Sequence, residues 1–333
     1  MPDPLLNGSS QLDSAFLYAF SQGLVSDTIG KSSLGTAGSN WYGLYPSLAW
    51  AHLASALPAG ADSRARMLAV INASAELWPE VVKGFDAAPR KFNSTGFDFA
   101  SNSPVSNGKW EEQDVASGLA FLAVSTASAM YGNLSHPKAT KLVAAADTAL
   151  TWLETWPVNP LYEVLQSYGP VAAARMNVEL GRSYNVTRHL GWALGDGLDI
   201  QARRGWGVMA DTWGDEDIGG LVGSTLDGDG YAFAGDTFWF VKAVAPLPRY
   251  LPEYARTIGK WMLNVAHSSR FFYASNLKPD RQLSTAQDGL KYDPLGVIAY
   301  EGLRKCAYST RGLGRPLLPL QRHECLHHAT TTM

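Results

Sequence analysis

Between residues 40 and 305 one pattern recurs: segments of 10 to 24 residues carry apolar side chains at helical spacing. They span 40–57, 62–85, 109–132, 137–156, 160–181, 186–195, 236–247, 252–269 and 294–305, with 109–132 and 137–156 the clearest. Asp62 is placed to cap the second, and proline opens four of them, where its missing N–H is harmless. Links after the first, third, fifth and seventh segments are about 4 residues long, whereas 86–108, 196–235 and 270–293 are long. Consecutive antiparallel helices alternate direction, so all three long links leave from the same end. The expectation is an all-α fold: an α/α toroid of helical hairpins, incomplete, with its elaborate loops on one rim. No fixed-period repeat argues for a solenoid, and "RFFYASNL" (270–277) is the only passable strand.

Composition narrows the function classes. No apolar run reaches the ~18 residues that span a membrane. A net charge of −3 gives no footprint for nucleic acid or anionic lipid. Both cysteines, Cys306 and Cys325, fall in the basic stretch 306–333, which lacks helical period and is expected to lie outside the fold. The body is therefore free of a disulfide framework and of thiol chemistry. Five of twelve asparagines stand in N-glycosylation sequons (Asn7, Asn72, Asn93, Asn133, Asn185), pointing to a secreted protein. No signal peptide opens the chain, so residues 1–39 are expected to be interior to a longer protein, ahead of a domain at 40–305.

The hairpin parity names the residues at the mouth. "KWEEQD" follows a long link, placing Trp110, Glu111, Glu112 and Asp114 on the elaborate rim, with Glu163 beside them. Acids in a first helical turn also suit the helix dipole, which favours their ionised form. The longest link carries "GWGVMADTWGDEDIGG" (205–220), four carboxylates and two indoles among glycines, followed by Tyr231. Indole faces stack on pyranose rings and carboxylates accept hydroxyl pairs; the bland alternative is a packed cover plugged by Trp206 and Trp213. Two carboxylates flanking a glycosidic bond suffice for hydrolysis. Glu112 or Asp114 is expected as the ionised partner, and Asp217, raised by burial against an indole, as the acid. Trp110, Glu163, Trp206, Asp211, Trp213 and Tyr231 are expected to bind substrate. Arg175, Asn177 and Glu179 form a second tier, read more simply as an Arg–Glu brace. "HECLH" (323–327) lacks helical context for zinc, and "DGDG" (227–230) lacks further calcium ligands, so neither metal nor cofactor is expected.

Several stretches together carry a resemblance: "WEEQD.ASGLAFL", "NPLYEVLQSYGPVAAARMNVELG", "RRGWGVMADTWG", "GLVGSTLDGDGYAFAGDTF" and "YDPLGVIAYEGLRK". Over residues 40–305 the chain resembles secreted bacterial and fungal proteins of the six-hairpin glycosidase-like, (α/α)6 type. Relatives have proline where Gln113 stands, leaving Glu112 and Asp114 aligned, and carry further hairpins where this chain has its basic tail. The resemblance implies a carbohydrate-active fold rather than a particular substrate. The expected function is a glycoside hydrolase acting on a poly- or oligosaccharide as a monomer. A non-catalytic glycan-binding pseudoenzyme and a polysaccharide lyase are the alternatives; the acidic rim argues against the lyase, which needs cations to neutralise a uronate.

Overall fold

Helix accounts for 64% of the interpretable residues in the computed structural model, which describes residues 39–56, 60, 62–195, 206–213, 216–224, 232–273 and 276. In chain order the elements are α1 (Asn40–Ala56), α2 (Asp62–Ser74), α3 (Leu77–Ala87), β1 (Gly96–Asp98), β2 (Ser103–Val105), α4 (Val115–Tyr131), α5 (Thr140–Thr155), α6 (Gly169–Leu180) and α7 (Val186–Ala193). Then follow β3 (Trp206–Met209), β4 (Thr212–Trp213), β5 (Glu216–Asp217), β6 (Val222–Ser224), α8 (Ala234–Val244) and α9 (Ala255–Ser268). The expected helix 294–305, the tail 306–333 with both cysteines and His323, and Tyr231 lie outside the described residues. No helix among the described residues is long and apolar enough to cross a membrane.

The structure corrects several boundaries. The expected helix 62–85 is two, α2 and α3, because Pro79 has no N–H to bond the Ala75 carbonyl four residues back. The expected helix 160–181 starts only at Gly169: Pro170 sits in the first turn of α6, and a 3-10 turn (Leu165–Tyr168) precedes it. The helix expected from residue 109 begins at Val115. "RFFYASNL" opens as a 3-10 turn (Ser269–Phe272), not a strand. The long links carry short antiparallel pairs that helical periodicity could not reveal: β1 with β2, β3 with β6, and β4 with β5.

The described residues group into two compact units, 39–194 with 243–253, and 195 with 206–242 and 254–276. In the first, α4 is apolar on nearly every side, which demands enclosure. Helices α1, α2, α3, α5 and α6 all pack on it. Its Leu119 and Leu122 are fully buried, each side chain worth ~1.5–3 kcal/mol of transfer free energy. An aromatic cluster holds the β1–β2 hairpin to the helices. Phe85 stacks on Phe92 at 5.1 Å and meets Phe97 at 4.8 Å, while Phe92 meets Trp152 at 5.2 Å. In the second unit, Trp213 is completely buried, Trp261 Nε1 donates to the Gly220 carbonyl at 3.0 Å, and Val222 N–H bonds Thr237 Oγ1 at 2.9 Å. These bonds tie the β-rich link to α8 and α9.

Candidate functional site

The stretch 107–114 owes its shape to hydrogen bonds that a helix would forbid. Asn107 Oδ1 accepts from the N–H groups of Lys109 (2.8 Å) and Trp110 (3.2 Å), an Asx turn that keeps them out of a helical ladder. Thr95 Oγ1 donates to the Trp110 carbonyl at 2.7 Å, and Glu112 N–H bonds the Ser94 carbonyl at 2.8 Å. Gln113 Nε2 donates to Asn93 Oδ1 at 2.9 Å, and Glu111 pairs with Arg90 at 2.7 Å. Residues 110–113 thus lie along 93–95, and α4 can start only after them.

This arrangement buries two of the expected rim acids. Glu112 is 0% exposed and Asp114 is 1% exposed. Glu112 Oε2 accepts from Ser39 Oγ (2.7 Å) and from the Trp41 N–H (3.0 Å), and Oε1 accepts from Trp110 Nε1 (3.3 Å). Trp41 lies in the first turn of α1, so the carboxylate caps that helix from another part of the chain. Asp114 Oδ2 accepts from the Tyr162 N–H at 3.1 Å. Burial is the largest influence on both groups: it raises Glu112 to about 8, against its three donors, with the Asp114 charge adding to the rise. Burial likewise raises Asp114 to about 7, opposed by the Tyr162, Glu163 and Gln166 amides and reinforced by the Glu163 charge. This reverses the expected assignment. The pair at 112 and 114 sits outside the α4 first turn and is pushed toward the protonated form.

Around the two acids stand groups that can meet a ligand. Trp110 is half-buried, its ring parallel to that of Tyr162 (1°, centroids 6.3 Å apart), and Glu163 is half-buried beside Asp114. The structure therefore brings together Trp110, Glu112, Asp114 and Glu163, all expected from sequence, and adds Ser39, Trp41 and Tyr162. No sequence signal marked these three, since their roles come from a hydroxyl 73 residues away in the chain (Ser39), backbone amides (Trp41, Tyr162) and ring packing.

A polar chain runs behind Asp114. Ser117 Oγ donates to Gln166 Oε1 at 2.7 Å, Gln166 Nε2 faces His189 Nδ1 at 3.5 Å, and His189 Nε2 lies 3.1 Å from Glu154 Oε1. With the imidazole proton on Nε2, every contact has a donor and an acceptor. His189 is completely buried, and its hydrogen bond holds Glu154 below its ordinary range. Gly169 closes the gap, since a Cβ there would stand 2.9 Å from Ser117 Oγ and 3.1 Å from His189 Nδ1.

Each of the remaining candidates lies within its own unit. Asp211 and Asp217 are exposed in the second unit, and Asp217 Oδ1 accepts from the Gly219 N–H at 2.9 Å in a tight turn. Burial makes Trp213 a core plug with no open face for a sugar. Trp206 is the first residue of β3; its side chain is outside the described set. Arg175 pairs with Glu179 at 2.8 Å and lies over the Tyr250 ring at 5.7 Å, while Asn177 exchanges hydrogen bonds with the Tyr184 backbone at 2.8 and 2.9 Å. All three residues of this second tier brace α6. Among the described residues no group of three or more His, Cys, Asp or Glu side chains could hold a metal ion. Compared with known proteins, the chain matches no family model, and no curated protein or solved structure is significantly similar to it.

Proposed function

We propose that this protein is a secreted, monomeric glycoside hydrolase built on an α/α toroid of helical hairpins. What carries the reading is the pairing of Glu112 and Asp114, two buried carboxyls pushed to about 8 and about 7, beside half-buried Trp110 and Glu163. A carboxyl still protonated at neutral pH is what a glycosidic oxygen needs to leave, and a neighbouring carboxylate is what activates water or attacks the sugar. In this reading Glu112 or Asp114 supplies the proton, Glu163 is the reachable base, and Trp110 is the stacking face. Asp217, expected from the sequence as the acid, is tested alongside them. The toroid, with its long links on one rim, rests on the alternation of short and long links. The secretory location rests on the five sequons.

One observation favours a second reading, glycan binding without hydrolysis. Glu112 has no exposure, and three protein donors already occupy its oxygens, as in a purely structural cap.

The test is a screen of soluble glycans with detection of new reducing ends, repeated with Glu112→Gln, Asp114→Asn, Glu163→Gln and Asp217→Asn. The hydrolase reading expects turnover by the native chain and a fall of at least ~100-fold in the variants of the true acid and base. Turnover that survives all four substitutions removes these residues from the chemistry. Glycan affinity without any new reducing end establishes the binding reading instead.

A further inference from the structure

The fold divides the sequons into two kinds. At Asn72 and Asn93 the hydroxyl that completes the sequon is committed inside the protein. Ser74 Oγ is buried and donates back to the Val70 and Ile71 carbonyls at 3.1 Å. Thr95 Oγ1 is buried and donates to the Trp110 carbonyl at 2.7 Å. Asn72 is also held in helical backbone by α2, and Asn93 is half-buried with Oδ1 accepting from Gln113. Asn72 itself is exposed, so what sets it apart is its helical backbone and the buried Ser74. Asn133 and Asn185 differ in the exposure of the hydroxyl that completes the sequon. Each asparagine and its hydroxyl partner, Ser135 or Thr187, is exposed.

Local geometry keeps both exposed sites in fixed places. Asn133 follows Gly132, which ends α4 at a φ of +83° that other residues rarely adopt. The link beyond it is braced by Tyr131 stacked on His136 at 5.1 Å and 7°. Asn185 is the N-cap of α7, its Oδ1 accepting from the Arg188 N–H at 2.9 Å. Attachment of a sugar at Nδ2 leaves that oxygen free to go on capping.

We propose that Asn133 and Asn185 are N-glycan attachment sites and that Asn72 and Asn93 are not. The inference rests on the secretory location proposed above. The donor is a polyprenyl-diphosphate-linked oligosaccharide. The Nδ2–C1 bond forms as the bond from C1 to the diphosphate oxygen breaks, Nδ2 yields one proton, and the polyprenyl diphosphate leaves.

The experiment passes the full chain, behind a cleavable leader and carrying Asn7→Gln, through a eukaryotic secretory host. Imposing the route separates the question of sites from that of natural location. Peptide mass spectrometry before and after N-glycan amidase is expected to find Asn133 and Asn185 occupied, with Asn72 and Asn93 bare. Ser135→Ala and Thr187→Ala should each remove one step of gel mobility; Thr187→Ala does so with the Asn185 cap still in place. Asn72→Gln and Asn93→Gln should leave mobility unchanged. A bare Asn133 or Asn185, or a glycan on Asn93 or Asn72, overturns the proposal.

Discussion

Replacing Glu112 with glutamine removes an ionisable group and keeps its shape, so its effect on stability should change sign with pH. In the unfolded chain Glu112 releases its proton near 4.5, and in the fold near 8. The fold therefore favours the protonated carboxyl. Its contribution is full below pH 4.5, falls as pH rises through the window from 4.5 to 8, and is flat beyond. At ~1.4 kcal/mol per pH unit, that window amounts to roughly 5 kcal/mol lost by the native protein and not by the variant. Against this stands a local cost. The glutamine oxygen can face Ser39 and Trp41, but its NH2 then meets the Trp110 N–H, two donors without an acceptor. Such a mismatch costs about 1–3 kcal/mol at any pH. Below pH 5 the variant should be the less stable protein by that amount; at pH 8.5 it should be the more stable by ~2–4 kcal/mol. Urea unfolding followed by tryptophan fluorescence at half-unit steps from pH 5 to 9 measures the crossover. A Glu112→Gln deficit equal at pH 5 and pH 8.5 would falsify the argument, because it would mean that the three donors keep Glu112 ionised in the fold. Asp114→Asn combined with Glu112→Gln separates the second buried carboxyl from the first.

Other outcomes follow from the same geometry. Gly169→Ala should destabilise the protein by ~1–3 kcal/mol through the clash with Ser117 Oγ and His189 Nδ1; Ser117→Ala in the same chain should recover part of it, and no recovery in thermal unfolding would argue that the clash lies elsewhere. Trp213→Ala should cost about 3–5 kcal/mol of stability as the loss of a buried ring, whereas Trp110→Ala should mainly weaken glycan affinity measured by calorimetry; the opposite pattern would exchange their roles. If Glu112 or Asp114 is the proton donor, hydrolysis should fall as pH rises past about 7 to 8, and that limb should shift or vanish in the corresponding amide variant. A rate that keeps rising through pH 9 would exclude both as the acid.

Helical periodicity was legible in the chain, clearest at α4 and α5, and with it the dominance of helix; that α1, α2, α3, α5 and α6 all pack on α4 was shown only by the structure. Trp110, Glu112 and Asp114 were legible as candidates, because acids beside an aromatic stand out at short range, whereas Glu163 was named from the alternation of helix directions. The extent of the helices depended on contacts far along the chain. Residues 109–114 read as a helical first turn, yet Asn107, Ser94 and Thr95 bind their backbone groups and keep them out of the helix. The electrostatics depended on the same contacts. A carboxylate at a helix start is stabilised by a dipole worth a fraction of a kcal/mol to ~1 kcal/mol, but burial strips the water from Glu112 and raises it to about 8 against the Ser39, Trp41 and Trp110 donors. Local sequence sets which side chains are near one another; desolvation depends on what the rest of the chain places over them, so the ionisation of Glu112 and Asp114 was decided only in the tertiary structure.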